Sequence, residues 1–347
     1  MEYGLFYQLP LWPDQDSADR FEETLGQIEL GEALGFDVAW LAELHFISRY
    51  SVMPAPSLIA AAASQRTKRI RLGIGVNLLP LHDPIRAAES GAVLDILSGG
   101  RLEYGVGRGA IPQQFDGFGV DMDERNDRFN EALDIVLQAW KPGPFSHSGT
   151  YFQYEDLDVV PKPVQRPHPP LRLAVNSIAS TEYAARHGIP IMLSLITATR
   201  EMIRDRYAAY RQLRGAAGGA ATDLAVMLPV HIAESGTVAR KEAEETLTGY
   251  LRTMAEMVED SNRKHGSDPK TMRERAYEYR RVTYETILSS MAAVGDVDEV
   301  CDAIRELQDD LGVGQVICWF NAGGRLPDAV VRRSMRMFME QVRPQLA

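Results

Sequence analysis

Short apolar runs recur along this chain, and a helical stretch separates each from the next. That alternation constrains the fold more than any other feature. The runs cover 3–9, 37–41, 70–79, 102–106, 171–175, 189–195, 224–232 and 313–320. Each is brief and rich in aliphatic or aromatic residues, as strands buried on both faces are. Helices are predicted over 16–34, 54–65, 85–97, 125–140, 180–187, 200–213, 238–259, 297–311 and 328–342. The first has Leu25, Ile28 and Ala33 on one face and Gly35 as its stop. Strand, helix, strand in this order calls for right-handed crossovers and a parallel sheet covered on both sides. Eight such units point to an α/β fold closed into a (β/α)8 TIM barrel. A doubly wound open sheet has the same periodicity and stays as the alternative.

Two segments stand outside the alternation. Residues 142–170 form a Pro-rich, hydrophilic insertion after the fourth strand and its helix. Residues 260–281 follow the seventh strand and its helix with S-N-R-K-H-G-S-D-P-K and then a dense charge run. This is either a solvated loop or a mobile lid over the active face. A chain of 347 residues can bury one large core, and a single barrel domain over 1–347 is expected.

The formal net charge of −11 opposes nucleic acid or an anionic membrane as the main partner, because a phosphate-tracking surface needs a basic excess. Two cysteines, Cys301 and Cys318, are too few for a disulfide framework or a multi-cysteine metal site. The first strand follows directly on Met1 and Glu2, with neither a signal-peptide pattern nor an apolar run of membrane-spanning length. No membrane association and a cytoplasmic location are therefore expected.

In a barrel the chemistry sits at the carboxyl ends of the strands. The second strand ends in Glu43 and His45, which share one side of an extended chain. A carboxylate there can fix the tautomer of the imidazole and raise its basicity; a hydrogen-bonded loop histidine accounts for the pair equally well. The third strand ends in Gly75, Val76 and Asn77, and glycine inside a buried strand marks a close approach of backbone or of a flat ligand, or a bulge. The fourth lies within 100–110, G-R-L-E-Y-G-V-G-R-G-A. Arg108, held between two glycines, offers a guanidinium and free N–H groups to an anion; the alternative is a turn with a solvated charge. The fifth ends in Asn176 and Ser177, with Ser180 and Thr181 opening the next helix, either a phosphate seat or an ordinary N-cap. Pairing that cap with Arg108 favours the phosphate. His82, in L-H-D-P, is read as a turn residue and given no role. The chain carries no G-x-x-x-x-G-K-[ST] loop, no H-E-x-x-H helix and no G-x-S-x-G elbow, and its seven histidines lack metal-ligand spacing. No metal is expected.

The strand ends, taken as words, resemble the bacterial luciferase-like family of flavin-dependent monooxygenases, most closely its luciferase α-subunit branch. The words are G-F-D-V-A-W-L-A-E-L-H-F (35–46), L-P-L-H-D-P-I-R-A-A-E (79–89), L-D-I-L-S-G-G-R-L-E-Y-G-V-G-R-G (94–109), F-G-V-D-M-D (118–123), N-S-I-A-S-T-E-Y-A-A (176–185), I-M-L-S (191–194) and V-G-D-V-D-E-V (294–300). They run in order along nearly the whole chain. The resemblance implies the (β/α)8 barrel, reduced FMN as cosubstrate from a separate flavin reductase, and O2 activated as a flavin C4a-peroxide. The substrate would be a small organic molecule (an aldehyde, ketone or hydrocarbon-like compound), and the assembly a dimer, expected as a homodimer, through helices 54–65 and 85–97.

By the same resemblance Arg108 would hold the FMN phosphate with Ser177, Ser180 and backbone near Asn176 and Ala110. Gly75 and Val76 would face the isoalloxazine ring, through a non-proline cis peptide or a bulge. Segment 260–281 would be the lid. His45 would act as acid–base residue with Glu43 supporting it. Three positions depart from the α-subunit pattern: Leu44 replaces the first of a His-His pair, Gly107 a cysteine before the arginine, and Leu195 a tryptophan. Light emission is therefore not expected, and the substrate pocket is reshaped. The rival readings are a deazaflavin-dependent dehydrogenase on the same barrel and a non-catalytic luciferase-like dimer subunit.

Overall fold

A computed structural model describes residues 1–216, 218, 224–265 and 278–346. Its strands, in chain order, are β1 (Glu2–Tyr7), β2 (Val38–Leu41), β3 (Arg71–Leu78), β4 (Leu102–Gly107), β5 (Phe145–Ser148), β6 (Gln153–Leu157), β7 (Leu171–Ala174), β8 (Ile191–Ser194), β9 (Ala225–Ile232), β10 (Ala293–Gly295) and β11 (Gln315–Trp319). Eight of them pair in parallel in the order β1-β2-β3-β4-β7-β8-β9-β11, and β11 returns to β1. The ring is closed, so the chain is a (β/α)8 barrel and the open-sheet alternative falls away. β9 serves two partners in succession: Ala225 to Pro229 pair with β11, and Val230 to Ile232 pair with the short β10.

Helices cover the ring as the periodicity demands. Helix Ser17–Leu34 starts where the Asp16 carboxylate accepts the N–H of Ala18, and it ends at Gly35 in the left-handed region. Its inward face is Leu25, Ile28 and Gly31, whereas Ala33 is exposed. Gly31 belongs there because a Cβ would lie 2.5 Å from Leu5 Cδ1 on β1. Helices Pro56–Arg66, Pro84–Leu97, Arg125–Ala139, Ile178–His187, Arg200–Ala216, Gly236–His265, Val297–Leu311 and Asp328–Met337 complete the layer. Cys301 and Cys318 are free and buried. Among the described residues no helix is long and apolar enough to cross a membrane.

The barrel interior is a packed core. At its amino end Arg71 pairs with Glu103 at 2.7 Å, and Gln315 donates to Glu2 at 2.7 Å. Above them Val38, Trp40, Ala225 and Ile317 form a buried layer with Phe6, Met192 and Met227 against it. The Trp40 indole, fully buried, donates from Nε1 to Gln315 Oε1 at 3.0 Å. It fits because neighbouring strands present glycine: a Cβ would come within 3.2 Å of the ring from Gly4 and from Gly105, and closer still from Gly73.

The insertion after helix Arg125–Ala139 contains a hairpin, β5 with β6, that the Pro-rich composition does not announce. Glu131 holds its turn by accepting N–H groups of Thr150, Tyr151 and Phe152. Asp95 anchors the return limb through the N–H groups of Val164 and Gln165. A short helix, Pro112–Phe118, follows β4 and is likewise absent from the sequence reading. Most of the expected lid, at 266–277, lies outside the described residues.

Candidate active site

The residues singled out in the sequence sit at the carboxyl ends of β2, β3, β4 and β7, which are four consecutive strands of the ring. Glu43 and His45 follow β2 and are in contact: His45 Nε2 lies 2.9 Å from Glu43 Oε1. The carboxylate is buried, and its second oxygen accepts the N–H of Leu78 at 2.9 Å, tying the end of β3 to the end of β2. The sequence reading missed the third member. His82 Nε2 lies 2.6 Å from the same Oε1, so two imidazoles share one carboxylate oxygen. Burial raises the Glu43 pKa, but the hydrogen bonds from His45, His82 and Leu78 and the charge of His82 outweigh it, and the net shift is downward. Burial likewise lowers the His82 pKa, and the hydrogen bond to Glu43 with its charge reverses the sign, leaving His82 raised. Adjacency of β2 and β3 was the available signal, because it carries the loop after β3 across the end of β2.

Aromatic side chains cover His45. Phe118 meets it edge-on with ring centroids 4.8 Å apart. Phe46, held at φ 67°, packs on Phe118 at 5.2 Å. Gly117 lies under Phe46, where a Cβ would come 2.2 Å from the ring.

On β3 the Gly75–Val76 peptide is cis. The β3–β4 register shifts between Ile74 and Asn77, so the strand bulges where those two residues sit. Gly75, Val76 and Asn77 are half-buried at the mouth. Asn77 donates to the Tyr104 hydroxyl at 2.6 Å. Val76 leans on β4: a Cβ on Gly107 would lie 2.4 Å from Val76 Cγ2. The bulge and the residue before Arg108 are thus in contact.

Arg108 leaves the end of β4 between two helices. Its guanidinium carbon stacks 4.4 Å from the Phe129 ring centroid and 5.0 Å from that of Tyr183. One nitrogen, Nη2, donates to Asn130 at 3.4 Å. The other, Nη1, is buried and has no partner. Burial pulls the Arg108 pKa down; Tyr183 opposes this and Arg125 adds to it. Beside it opens a cleft of about 280 Å³ lined by Asn126, Asn130, Ser180, Tyr183 and Arg186. Glu182 also lines the cleft and pairs with Arg186 at 3.2 Å, so Arg108, with its unsatisfied N–H, is the cation there that suits an anion.

Ser177 and Ser180 form a reciprocal cap on helix Ile178–His187. Ser177 Oγ accepts the Ser180 N–H at 3.2 Å, and Ser180 Oγ donates to the Ser177 carbonyl at 2.8 Å. The ordinary N-cap reading is therefore realised: Ser177 is the cap, and Ser180, its partner at the third helical position, lines the Arg108 cleft. Asn176, Ser177 and Ala110 are exposed at the same end of the barrel. Leu195 is buried, and its N–H donates to Met227 at 3.0 Å.

The other half of the mouth is apolar and aromatic. Trp319 at the end of β11 meets Phe6 and Tyr250 edge-on at 5.3 and 4.8 Å. Tyr250 stacks on Tyr50 at 5.6 Å and donates its hydroxyl to Gln8 at 3.2 Å. Polar and titratable groups thus cluster at the ends of β2, β3, β4 and β7, and a buried aromatic cluster stands at the end of β11 across the ring. Among the described residues no group of three His, Cys, Asp or Glu side chains is placed to hold a metal ion.

Comparison with known proteins agrees with this architecture. The family described as luciferase-like monooxygenase matches residues 1–314. The uncharacterized protein y4wF of Sinorhizobium fredii (strain NBRC 101917 / NGR234) is 38% identical over 191 residues, a match spanning 54% of this chain and 54% of that one. The alkanal monooxygenase alpha chain of the Kryptophanaron alfredi symbiont is 25% identical over 359 residues, covering 100% of this chain and 98% of that one. Among solved structures, monooxygenase RslO1 from Streptomyces bottropensis superposes with a TM-score of 0.83 at 30% identity, covering both chains in full.

Proposed function

The chain belongs to the luciferase-like monooxygenase family and is an enzyme of the flavin-dependent monooxygenase class; from that premise we propose that it binds reduced FMN and uses it with O2 to oxygenate a small organic substrate. The whole of 1–347 is read as one catalytic domain. The observation that carries the proposal is the convergence of Glu43 with His45, Gly75–Val76 and Arg108 with Ser180 on four consecutive strand ends.

The residues present fit the cofactor. The orphaned Arg108 Nη1 and its cleft, which Ser180 lines, would seat the phosphate, with Ser177, Asn176 and Ala110 exposed at the same end of the barrel. The half-buried Gly75–Val76 bulge offers bare backbone to a flat ring. When bound, reduced flavin supplies the electrons and the oxygen-activating chemistry. The chain does the rest. Arg108, clamped between Phe129 and Tyr183, fixes the position of the anionic end. Glu43 accepts from His45 Nε2 and so keeps Nδ1 as the atom that takes or gives a proton. Phe118 and Phe46 shield that imidazole from water, and Phe6, backed by the buried Trp319, would offer the substrate an apolar surface.

We further propose a separate flavin reductase as the source of reduced FMN, and a cytoplasmic homodimer formed through helices Pro56–Arg66 and Pro84–Leu97. Those two helices expose Leu58, Val93, Ile96 and Leu97, an apolar set that a partner would cover. A sedimentation mass of 38.6 kDa at micromolar concentration would remove the dimer.

The deciding experiment is oxygen uptake with reduced FMN across aldehydes, ketones and terpenes, with product identification under 18O2. One labelled oxygen in the product is expected. Hydride transfer with a deazaflavin and no oxygen uptake would replace this reading with a dehydrogenase. Failure to bind either cofactor would leave a non-catalytic subunit.

A further inference from the structure

We propose that His82 is a positioning residue for His45, and that through Glu43 the two imidazoles share a single additional proton. The inference rests on the reading of His45 as the acid–base group. Its basis is geometric. Glu43 Oε1 lies 2.9 Å from His45 Nε2 and 2.6 Å from His82 Nε2, while Oε2 is taken by the N–H of Leu78. An ionised carboxylate only accepts, so both imidazoles present Nε2–H to it. Nδ1 is then the nitrogen of each ring left free of the carboxylate. Tautomer and ring orientation are fixed by one oxygen for both residues.

Charge decides how many additional protons the cluster holds. One imidazolium beside the buried Glu43 carboxylate gives a neutral unit; two would give a net positive charge, with like charges facing one oxygen. The additional proton therefore resides on one ring at a time. Exposure decides which ring holds it at rest. The His82 side chain is 35% exposed, against 8% for His45 and 2% for Glu43, so the cation costs least on His82. The upward pKa shift of His82, set by Glu43 against the opposing effect of burial, agrees.

With the proton on His82, His45 is neutral and its Nδ1 is a free base. When His45 Nδ1 takes a proton from a reactant, His82 Nδ1 releases one to solvent, and the charge of the cluster does not change. The other charged or titratable groups bordering the trio are Tyr104 on β4, and Asp83, Arg86 and Tyr154 beside the His82 turn, where the Tyr154 hydroxyl lies 3.3 Å from Asp83. Burial first, then Glu43 for Tyr104 and Asp83 for Tyr154, pushes both phenols up, Tyr154 to about 12, so neither competes for the shared proton.

The test is a pH titration of the full-length, flavin-free protein with 15N-labelled histidine, following the ring nitrogens. In the wild type the His45 nitrogens are expected to show an inflection at the His82 midpoint. In His82→Gln that inflection vanishes from His45 while its Nε2 remains the protonated nitrogen, and the pH profile of oxygen uptake with reduced FMN loses the corresponding limb. His45 resonances that ignore the His82 midpoint, or that titrate identically in both proteins, overturn the proposal; the wild-type measurement decides alone if the variant does not fold. Coupling together with a fully active His45→Ala would uphold the shared proton and remove the catalytic reading of His45. An inactive His45→Ala without coupling would do the reverse.

Discussion

The six-membered ring of the Trp40 indole fills the space in front of Gly73: a Cβ on that glycine would lie 2.3 Å from Cε3 and 2.5 Å from Cδ2. The indole cannot retreat. It is fully buried, its Nε1 is bonded to Gln315, and Gly105 on β4 stands beside its Cζ3, where a Cβ would lie 3.2 Å away.

Gly73→Ala should therefore overpack the barrel. A loss of about 1–3 kcal/mol is expected, read as a lower denaturation midpoint at unchanged m-value. A midpoint within error of the wild type would mean that the indole has room to shift.

Arg108→Ala should weaken FMN binding by about 1–3 kcal/mol, the range for a lost charge-assisted contact. Arg108→Lys should recover only part of this, because an ammonium cannot stack flat between Phe129 and Tyr183 as the guanidinium does. Fluorescence titration with FMN measures both. An unchanged dissociation constant in the alanine variant would remove Arg108 from the phosphate seat.

His45→Ala should leave FMN binding intact and depress oxygenation by about 10²–10⁴-fold, the usual reach of general acid–base catalysis. Rates of oxygen uptake and FMN titration on the same preparation separate the two effects. Full oxygenation in that variant would exclude His45 from the chemistry.

The pH dependence of stability follows from the two signs at Glu43. The carboxyl is depressed on folding, so its contribution is present above the unfolded value of 4.5 and is lost as pH falls from there through the folded value. His82 is raised, so its contribution is full below 6.5 and is lost as pH rises through its folded value. Both are complete between pH 4.5 and 6.5. Thermal midpoints of the wild type minus those of Glu43→Gln should peak in that window and shrink on either side. A flat difference would detach the trio from stability.

The barrel and most of the candidate site were legible because each depends on local signals. A strand buried on both faces must be an apolar run, so 37–41 and 313–320 read as strands and appear as Val38–Leu41 and Gln315–Trp319. Glu43 and His45 are two residues apart, and alternation alone puts them side by side. What escaped depends on distant partners or weak patterns. His82 has meaning only once the loop after β3 crosses the end of β2. The hairpin of F-S-H-S and Q-Y-E-D-L has only Phe145, Tyr154 and Leu157 as half-buried hydrophobic residues among polar ones, and its turn is held by Glu131 from a helix distant in sequence. Helix Pro112–Phe118 has seven residues, too few for a period to show. Ala33 was misplaced because Gly31, which has no side chain to bury, marks the face that meets β1.

The Trp40 layer has a kinetic meaning as well. With the Arg71–Glu103 and Gln315–Glu2 pairs beneath it, the indole stops the barrel like a cork, so everything that reacts must use one doorway. Traffic through a single doorway is ordered by depth. On the proposed reading, a flavin seated against Gly75–Val76 would arrive before the molecule that closes over it and depart after that molecule has gone.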